Sequence, residues 1–229
     1  MRSPFLSNVF LQRFQLKISY SAQSFNVVLD TGSSDLWVTG SSCTTCTQGT
    51  PSFKNSASST FQSAQGTSGQ SVPVTITYGS GTVAGSLVRD TVAMGGFQVQ
   101  NQPWLLVDQT SSNLLDGSNA GIMGLAFESI ANTGATPLWQ TLATGNQLST
   151  PEMSFWITRV SGGNQNSDAV DEEFGGVFTL GGQNQTLYTG NVEFLPLVTN
   201  IGKQTYWLLT VSGMHRICPC PIVDFFSRT

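Results

Sequence analysis

Asp30 closes an apolar run and opens a turn, in Phe25-Asn26-Val27-Val28-Leu29-Asp30-Thr31-Gly32-Ser33-Ser34-Asp35-Leu36-Trp37-Val38. A carboxylate placed there can hold a water molecule and take a proton from it, provided it is rigid and still reachable from solvent. Its neighbours are of the right types. Thr31 and Ser33 bring hydroxyls, and Gly32 lets backbone N–H groups approach the carboxyl, whose charged form such hydrogen bonds favour. Asp-Thr-Gly alone reads equally well as a plain turn, since Asp and Gly abound in turns. The apolar residues before it and Leu36-Trp37-Val38 after it favour the chemical reading.

Other chemistry is poorly supported. Four cysteines fall into two pairs, Cys43/Cys46 and Cys218/Cys220. A zinc site needs two Cys-x-x-Cys units or nearby histidines. Here the second pair is Cys218-Pro219-Cys220 and the one histidine is His215. Cys43 and Cys46, in a Ser/Thr-rich loop, are read as a small-loop disulfide. Cys218 and Cys220 sit too close for an easy mutual bridge and stay unassigned. A Ser/His/Asp triad would rest on His215 alone. Gly79-Ser80-Gly81 with Gly85 has neither the spacing nor the following helix of a phosphate-binding loop. Neither a metal nor a cofactor is expected.

The elements that must position Asp30 read as strands. Val72-Pro73-Val74-Thr75-Ile76-Thr77-Tyr78 alternates apolar and polar residues and meets Gly79-Ser80-Gly81; Thr82 to Val92 resumes, which predicts a β-hairpin. Phe97 to Val107 suggests further strands. Ile122-Met123-Gly124-Leu125-Ala126-Phe127 suggests a buried one. Pro137 to Ala143 has the apolar spacing of a short helix with proline at its first position. Phe155-Trp156-Ile157-Thr158 and Val177-Phe178-Thr179-Leu180 read as strands flanking a polar loop, Gly162 to Asp171, that suits a lobe boundary. After Gly213 the text changes, and prolines flanking Cys220 exclude a central strand.

Composition agrees. Charged residues make up 10% of 229 and glycine numbers 24, which favours short strands and turns over long helices. With 13 acidic against 9 basic residues there is no basic patch for phosphates, and nucleic acid is not an expected partner. No stretch is long and apolar enough for a membrane helix, so no membrane partner is expected. Met1 to Leu16 is interrupted by Asn8, Gln12, Arg13 and Gln15 and makes a poor secretory h-region, so no signal peptide is recognised. Asn184-Gln185-Thr186 matches the N-glycosylation sequon, a tripeptide that also arises by chance.

Taken in order, these segments resemble the pepsin-like aspartic proteases. Asp30-Thr31-Gly32-Ser33 looks like the first catalytic loop. Tyr78-Gly79-Ser80-Gly81-Thr82 looks like the flap that closes over bound peptide, and Trp37 like the tryptophan supporting the flap tyrosine. Ile122-Met123-Gly124 looks like the element beneath the Asp loop. Gly134-Ala135-Thr136-Pro137-Leu138, Leu180-Gly181-Gly182 with Tyr188-Thr189-Gly190, and Tyr206-Trp207 also match, the last as the start of a second-lobe strand. The resemblance covers about Gln23 to Gly213. It implies an all-β fold with few short helices: a first lobe over 18–175, an incomplete start of a second over 176–213, and a divergent tail over 214–229. Val28 and Ile122 become candidates for an apolar side-chain pocket. Protein or peptide substrates follow, and the family is usually secreted or vacuolar.

Three departures accompany the resemblance. The family strand ending Ile-Gly-Thr-Pro is replaced by Ile18-Ser19-Tyr20-Ser21-Ala22-Gln23, so that strand is expected to be damaged. Ala120 stands where an acid is common. No second Asp-Thr-Gly or Asp-Ser-Gly follows Tyr206-Trp207; Asp224 is followed by Phe225-Phe226, which cannot supply a hydroxyl and close N–H groups. The family reaction uses two aspartates, one taking a proton from water while its protonated partner donates to the scissile carbonyl. The expectation is therefore an aspartic endopeptidase by family that is truncated and inactive alone. A non-catalytic peptide-binding or regulatory relative is the alternative. An Asp30-sharing homodimer is disfavoured, because Val177 to Gly213 should occupy the partner's place.

Overall fold

The computed structural model describes residues 6–8, 14–18, 23–67, 69–112, 114–115, 118–157 and 176–210. Its strands are β1 (Leu6–Asn8), β2 (Phe14–Ile18), β3 (Gln23–Asp30), β4 (Leu36–Thr39), β5 (Gln62–Ser63), β6 (Pro73–Tyr78), β7 (Gly81–Met94), β8 (Phe97–Thr110), β9 (Gly121–Gly124), β10 (Met153–Ile157) and β11 (Gly176–Leu180). One α-helix, α1 (Leu138–Thr144), accompanies them among the described residues.

The larger sheet closes on itself. β2 pairs antiparallel with β3, β3 lies parallel to β9, β9 runs antiparallel to β4, and β4 lies parallel to β8. β8 returns antiparallel along β7, and β7 meets β2 again at Ile18↔Val92. Closure removes the unpaired edges that an open sheet would expose along this path, while β5 and β6 add to β7 outside it. The 14-residue strands β7 and β8 bend through register shifts at Ala84/Gly85 and Asp90/Val92. At the first shift a Cβ on Gly85 would stand 2.1 Å from the Leu106 carbonyl oxygen, so only glycine fits.

Alternation drives the packing. In β6, Ile76 is buried while Pro73, Thr75 and Thr77 face solvent. Leu16, Ile18, Val27, Trp104, Met123 and Leu125 belong to the main core. A smaller cluster of Trp37, Ile76, Val83, Leu105, Val107 and Ile122 sits under the β6–β7 hairpin. The helix buries Leu138, Trp139 and Leu142, and the Trp139 indole donates to the Ala126 carbonyl at 3.0 Å. Pro137 flanks α1 at its N-cap, one position earlier than its fixed φ suggested.

Two expectations are corrected. The strand before Asp30 is intact: β2 pairs through Phe14↔Val27 to Ile18↔Gln23, and Leu16 and Ile18 are fully buried. Tyr206-Trp207 forms no strand; Trp207 instead packs on Phe127 and Trp139 and donates to the Leu125 carbonyl at 2.8 Å. A half-buried indole packed on the first core, with its N–H satisfied, stands where a strand was expected.

A separate sheet has the order β1-β11-β10, all antiparallel. Its Met153↔Leu180 to Ile157↔Gly176 register joins residues on the two sides of the boundary expected at 175. The loop Gly162 to Asp171, the tail 214–229 with Asp224, His215, Cys218 and Cys220, and Ser19 to Ala22 lie outside the described residues.

Candidate active site

Asp30 ends β3, where parallel pairing to Gly124 of β9 fixes its backbone. The turn that follows is laced to residues 124–126: Leu125 N–H donates to the Asp30 carbonyl at 2.8 Å, Ala126 N–H to Ser33 at 2.8 Å, and Gly124 N–H to Asp35 at 2.9 Å. A Cβ on Gly124 would fall 2.4 Å from the Ser34 carbonyl carbon, so this crossing requires glycine. The Ser34 hydroxyl adds a buried bond to the Phe127 carbonyl at 2.6 Å.

The carboxyl itself receives two local donors. Gly32 N–H reaches Asp30 Oδ1 at 2.8 Å and the Ser33 hydroxyl reaches Oδ2 at 2.5 Å. Among the described residues Thr31 contributes no hydrogen bond to it, although its hydroxyl was expected to share that task. Asp30 remains partly accessible. A rigid carboxylate with solvent access can accept a proton from water.

Tyr78 ends β6 at a two-residue turn, Gly79-Ser80, paired across to Gly81. The Trp37 indole donates to the Tyr78 hydroxyl at 2.8 Å. Burial pushes the Tyr78 phenol well above its usual range; the carboxylates of Asp35 and Asp30 add to the rise, and hydrogen bonding from Trp37 and Ser33 opposes it. The phenol is thus neutral and stands beside the Asp30 loop. Gly79 is exposed, and a Cβ there would meet nothing within 4 Å. Val28 and Ile122 are register partners in β3 and β9, and both pack with Trp37 and Tyr78 in the smaller cluster. The structure therefore brings Asp30, Ser33, Trp37, Tyr78, Val28 and Ile122 into one neighbourhood.

Cys43 and Cys46 form the expected disulfide. Their loop lies beside the hairpin's support: Thr110 N–H donates to the Thr45 hydroxyl at 2.7 Å, and the Ser111 hydroxyl accepts from Thr82 N–H at 2.9 Å.

Asp35 was missed by sequence reasoning. It is buried and accepts from Asn132 N–H at 2.9 Å, Asn132 Nδ2 at 3.1 Å, Thr133 N–H at 3.0 Å and the Thr133 hydroxyl at 2.6 Å. The available signal was an acid embedded in the apolar text Leu36-Trp37-Val38, which burial requires to be hydrogen-bonded. Asp90, also buried and within strand text, accepts from Ser58, Thr60 and the Thr91 N–H.

A closed β-barrel carrying an Asp-Thr-Gly loop under a tyrosine hairpin is the architecture of an aspartic peptidase lobe. Residues 14–216 match the family model for eukaryotic aspartyl proteases, and the chain belongs to that family. It is similar to Major aspartyl peptidase 1 of Cryptococcus neoformans var. grubii, 42% identical over 87% of this chain and 39% of that protein. Cathepsin D of Dictyostelium discoideum is 32% identical over 84% of the chain and 46% of its own length. Pepsin A of Rhinolophus ferrumequinum is 32% identical over 84% of the chain and 45% of its own length. The chain thus spans less than half the length of the curated relatives it matches.

Proposed function

We propose that this chain supplies one half of a two-carboxylate peptidase centre, with Asp30 as its aspartate, and does not hydrolyse peptides by itself. The observation that carries this reading is the Asp30 carboxyl held by Gly32 N–H and the Ser33 hydroxyl while still partly accessible. A water on Asp30 would give a proton to one carboxylate as its oxygen attacks the scissile carbonyl carbon. A protonated second carboxyl would donate to the carbonyl oxygen, so two groups divide the acid and base tasks. Asp30 alone can perform one of them. Within residues 1–229 no second Asp-Thr-Gly or Asp-Ser-Gly occurs.

Substrates are proteins or peptides in extended form, lying beneath the β6–β7 hairpin against Val28, Ile122, Trp37 and Tyr78. The Trp37–Tyr78 hydrogen bond supports a hairpin held ready over Asp30. The Cys43–Cys46 disulfide supports passage through an oxidising compartment, in keeping with a secreted or vacuolar enzyme. The second reading, a peptide-binding relative without chemistry, is favoured by the missing second loop alone.

The test is cleavage of an unfolded protein at about pH 3–5 by the folded chain and by an Asp30→Asn copy. No cleavage by either is expected. Cleavage by the wild type that vanishes in the variant would overturn the inactive-alone reading. Sedimentation and an Asp224→Asn variant would then tell a homodimer from a second carboxylate in the tail.

A further inference from the structure

Asn184 follows the turn after β11 and begins the one Asn-x-Ser/Thr tripeptide of the sequence. Its side-chain oxygen is already committed: Thr186 N–H donates to Oδ1 at 3.1 Å and the Thr186 hydroxyl donates to the same atom at 2.7 Å. Both bonds engage the carbonyl end of the amide. They polarise it and leave the nitrogen end uninvolved in holding the turn. The turn therefore does not need the Nδ2 hydrogens, and replacing one of them leaves its hydrogen bonds intact. Gln185 and Thr186 are exposed, so the approach from solvent is open.

The surface beside Asn184 has its own character. A shallow indentation is lined by Asn184 with Trp156, Tyr188, Leu187, Ser154 and Thr179. Trp156 and Tyr188 are partly exposed, and the Tyr188 hydroxyl donates to Gln183 Oε1 at 2.8 Å, which fixes its ring. Aromatic rings with polar neighbours suit the apolar face of a hexose, whose C–H groups rest on the ring while its hydroxyls bond at the rim. A peptide side chain would equally tolerate a patch of this kind, but here an amide nitrogen able to carry a sugar stands in its wall.

We propose that Asn184 is an N-glycosylation site and that the first sugar lies across the mouth of the indentation, over Trp156 and Tyr188. The donor is an oligosaccharide linked through diphosphate to a lipid. The bond from sugar C1 to the phosphate oxygen breaks and a bond from C1 to Asn184 Nδ2 forms. The lipid diphosphate leaves with the bonding pair, and the proton lost from Nδ2 ends on that leaving group. No oxidant or reductant is involved. The glycan would cover part of the surface formed by β10 and β11, remote in sequence from Asp30, so the modification does not depend on peptidase activity.

The experiment is translation of the full chain behind a heterologous secretion leader in the presence of microsomes, with translocation scored by protease protection. The translocated wild type should show a mobility shift that endoglycosidase removes, with the sugar mapped to the peptide containing Asn184. Asn184→Gln and Thr186→Ala should lose the shift, while Thr186→Ser keeps it. Protected, translocated chain without the shift would overturn the site. For the seat, the native glycoprotein should release its glycan more slowly than the denatured one, and Trp156→Ala should abolish that difference. Equal release rates from native and denatured wild type would overturn the contact with Trp156 and Tyr188.

Discussion

At the residue scale two side chains set the site's character without being candidates for direct chemistry. The first is Tyr78, whose burial holds its phenol neutral well above the usual range. Its folded-state value lies above the unfolded one. The protonated phenol therefore stabilises the fold fully below about pH 10, and that contribution is lost as pH rises toward the folded value. Alkaline denaturation from about pH 10 upward is expected to weaken in Tyr78→Phe, and one of the four tyrosines should titrate last in absorbance. The same variant strands the Trp37 indole N–H, at a cost near neutral pH of about 1–3 kcal/mol in urea unfolding. The second is Asp35, which satisfies four donors from Asn132 and Thr133. Asp35→Ala leaves them facing a void and is expected to cost about 3 kcal/mol or more, read as a lower urea midpoint. An unchanged midpoint would show that water replaces the carboxylate there.

At the element scale, the β6–β7 hairpin beside the Asp30 loop is held through β7. Among the described residues β6 pairs with β7 alone, so the hairpin depends on how β7 is clamped to β8. Beyond the end of β8, Ser111 donates its N–H to the Thr82 carbonyl at 2.8 Å and accepts from Thr82 N–H through its hydroxyl. This reciprocal pair lies one residue from Gly81, the cross-strand partner of Tyr78. Behind it, the Thr45 hydroxyl in the Cys43–Cys46 loop accepts from Thr110 N–H. Ser111→Ala removes one of the two bonds. It is expected to cost about 1 kcal/mol, to speed amide exchange at Thr82, and to shift the Trp37 indole N–H resonance by loosening Tyr78. If that resonance stays put while Thr82 exchanges faster, the clamp governs β7 alone and Tyr78 is held by its own burial.

At the scale of the molecule, the first core is closed and the segment after residue 190 lies against it. Trp207 is inserted among Phe127 and Trp139, whereas Phe194, Leu195, Val198, Leu208 and Leu209 stay exposed and Ile201 is 96% exposed. Val198 N–H bonds the Leu208 carbonyl, so these apolar groups are displayed along a folded-back pair of segments. An apolar surface of this kind without cover among the described residues promotes association. Sedimentation velocity of the chain is expected to show concentration-dependent self-association, relieved by Ile201→Lys with Leu208→Lys. A monomer over the whole concentration range would mean that residues beyond the described set cover the face.

Much of this was legible in the amino-acid text because the signals were local. Alternation marked the β6–β7 hairpin; the apolar run before Asp30 marked β3; the run Ile122 to Phe127 marked a buried strand; and the ordered motifs marked the family. Asp30 and Ser33 could be named before any distance was known, since a carboxylate needs a donor, and Trp37 and Tyr78 through the family resemblance. Tertiary structure decided what depends on partners far away in sequence. Asp35 is satisfied by residues nearly a hundred positions on, and β2 is held by its pairing with β3 and with β7, some 75 positions further along the chain. Trp207 follows the same rule. Its strand propensity yielded to packing on Phe127 and Trp139 and a satisfied indole, because a large ring laid on the first core stabilises wherever that core leaves room.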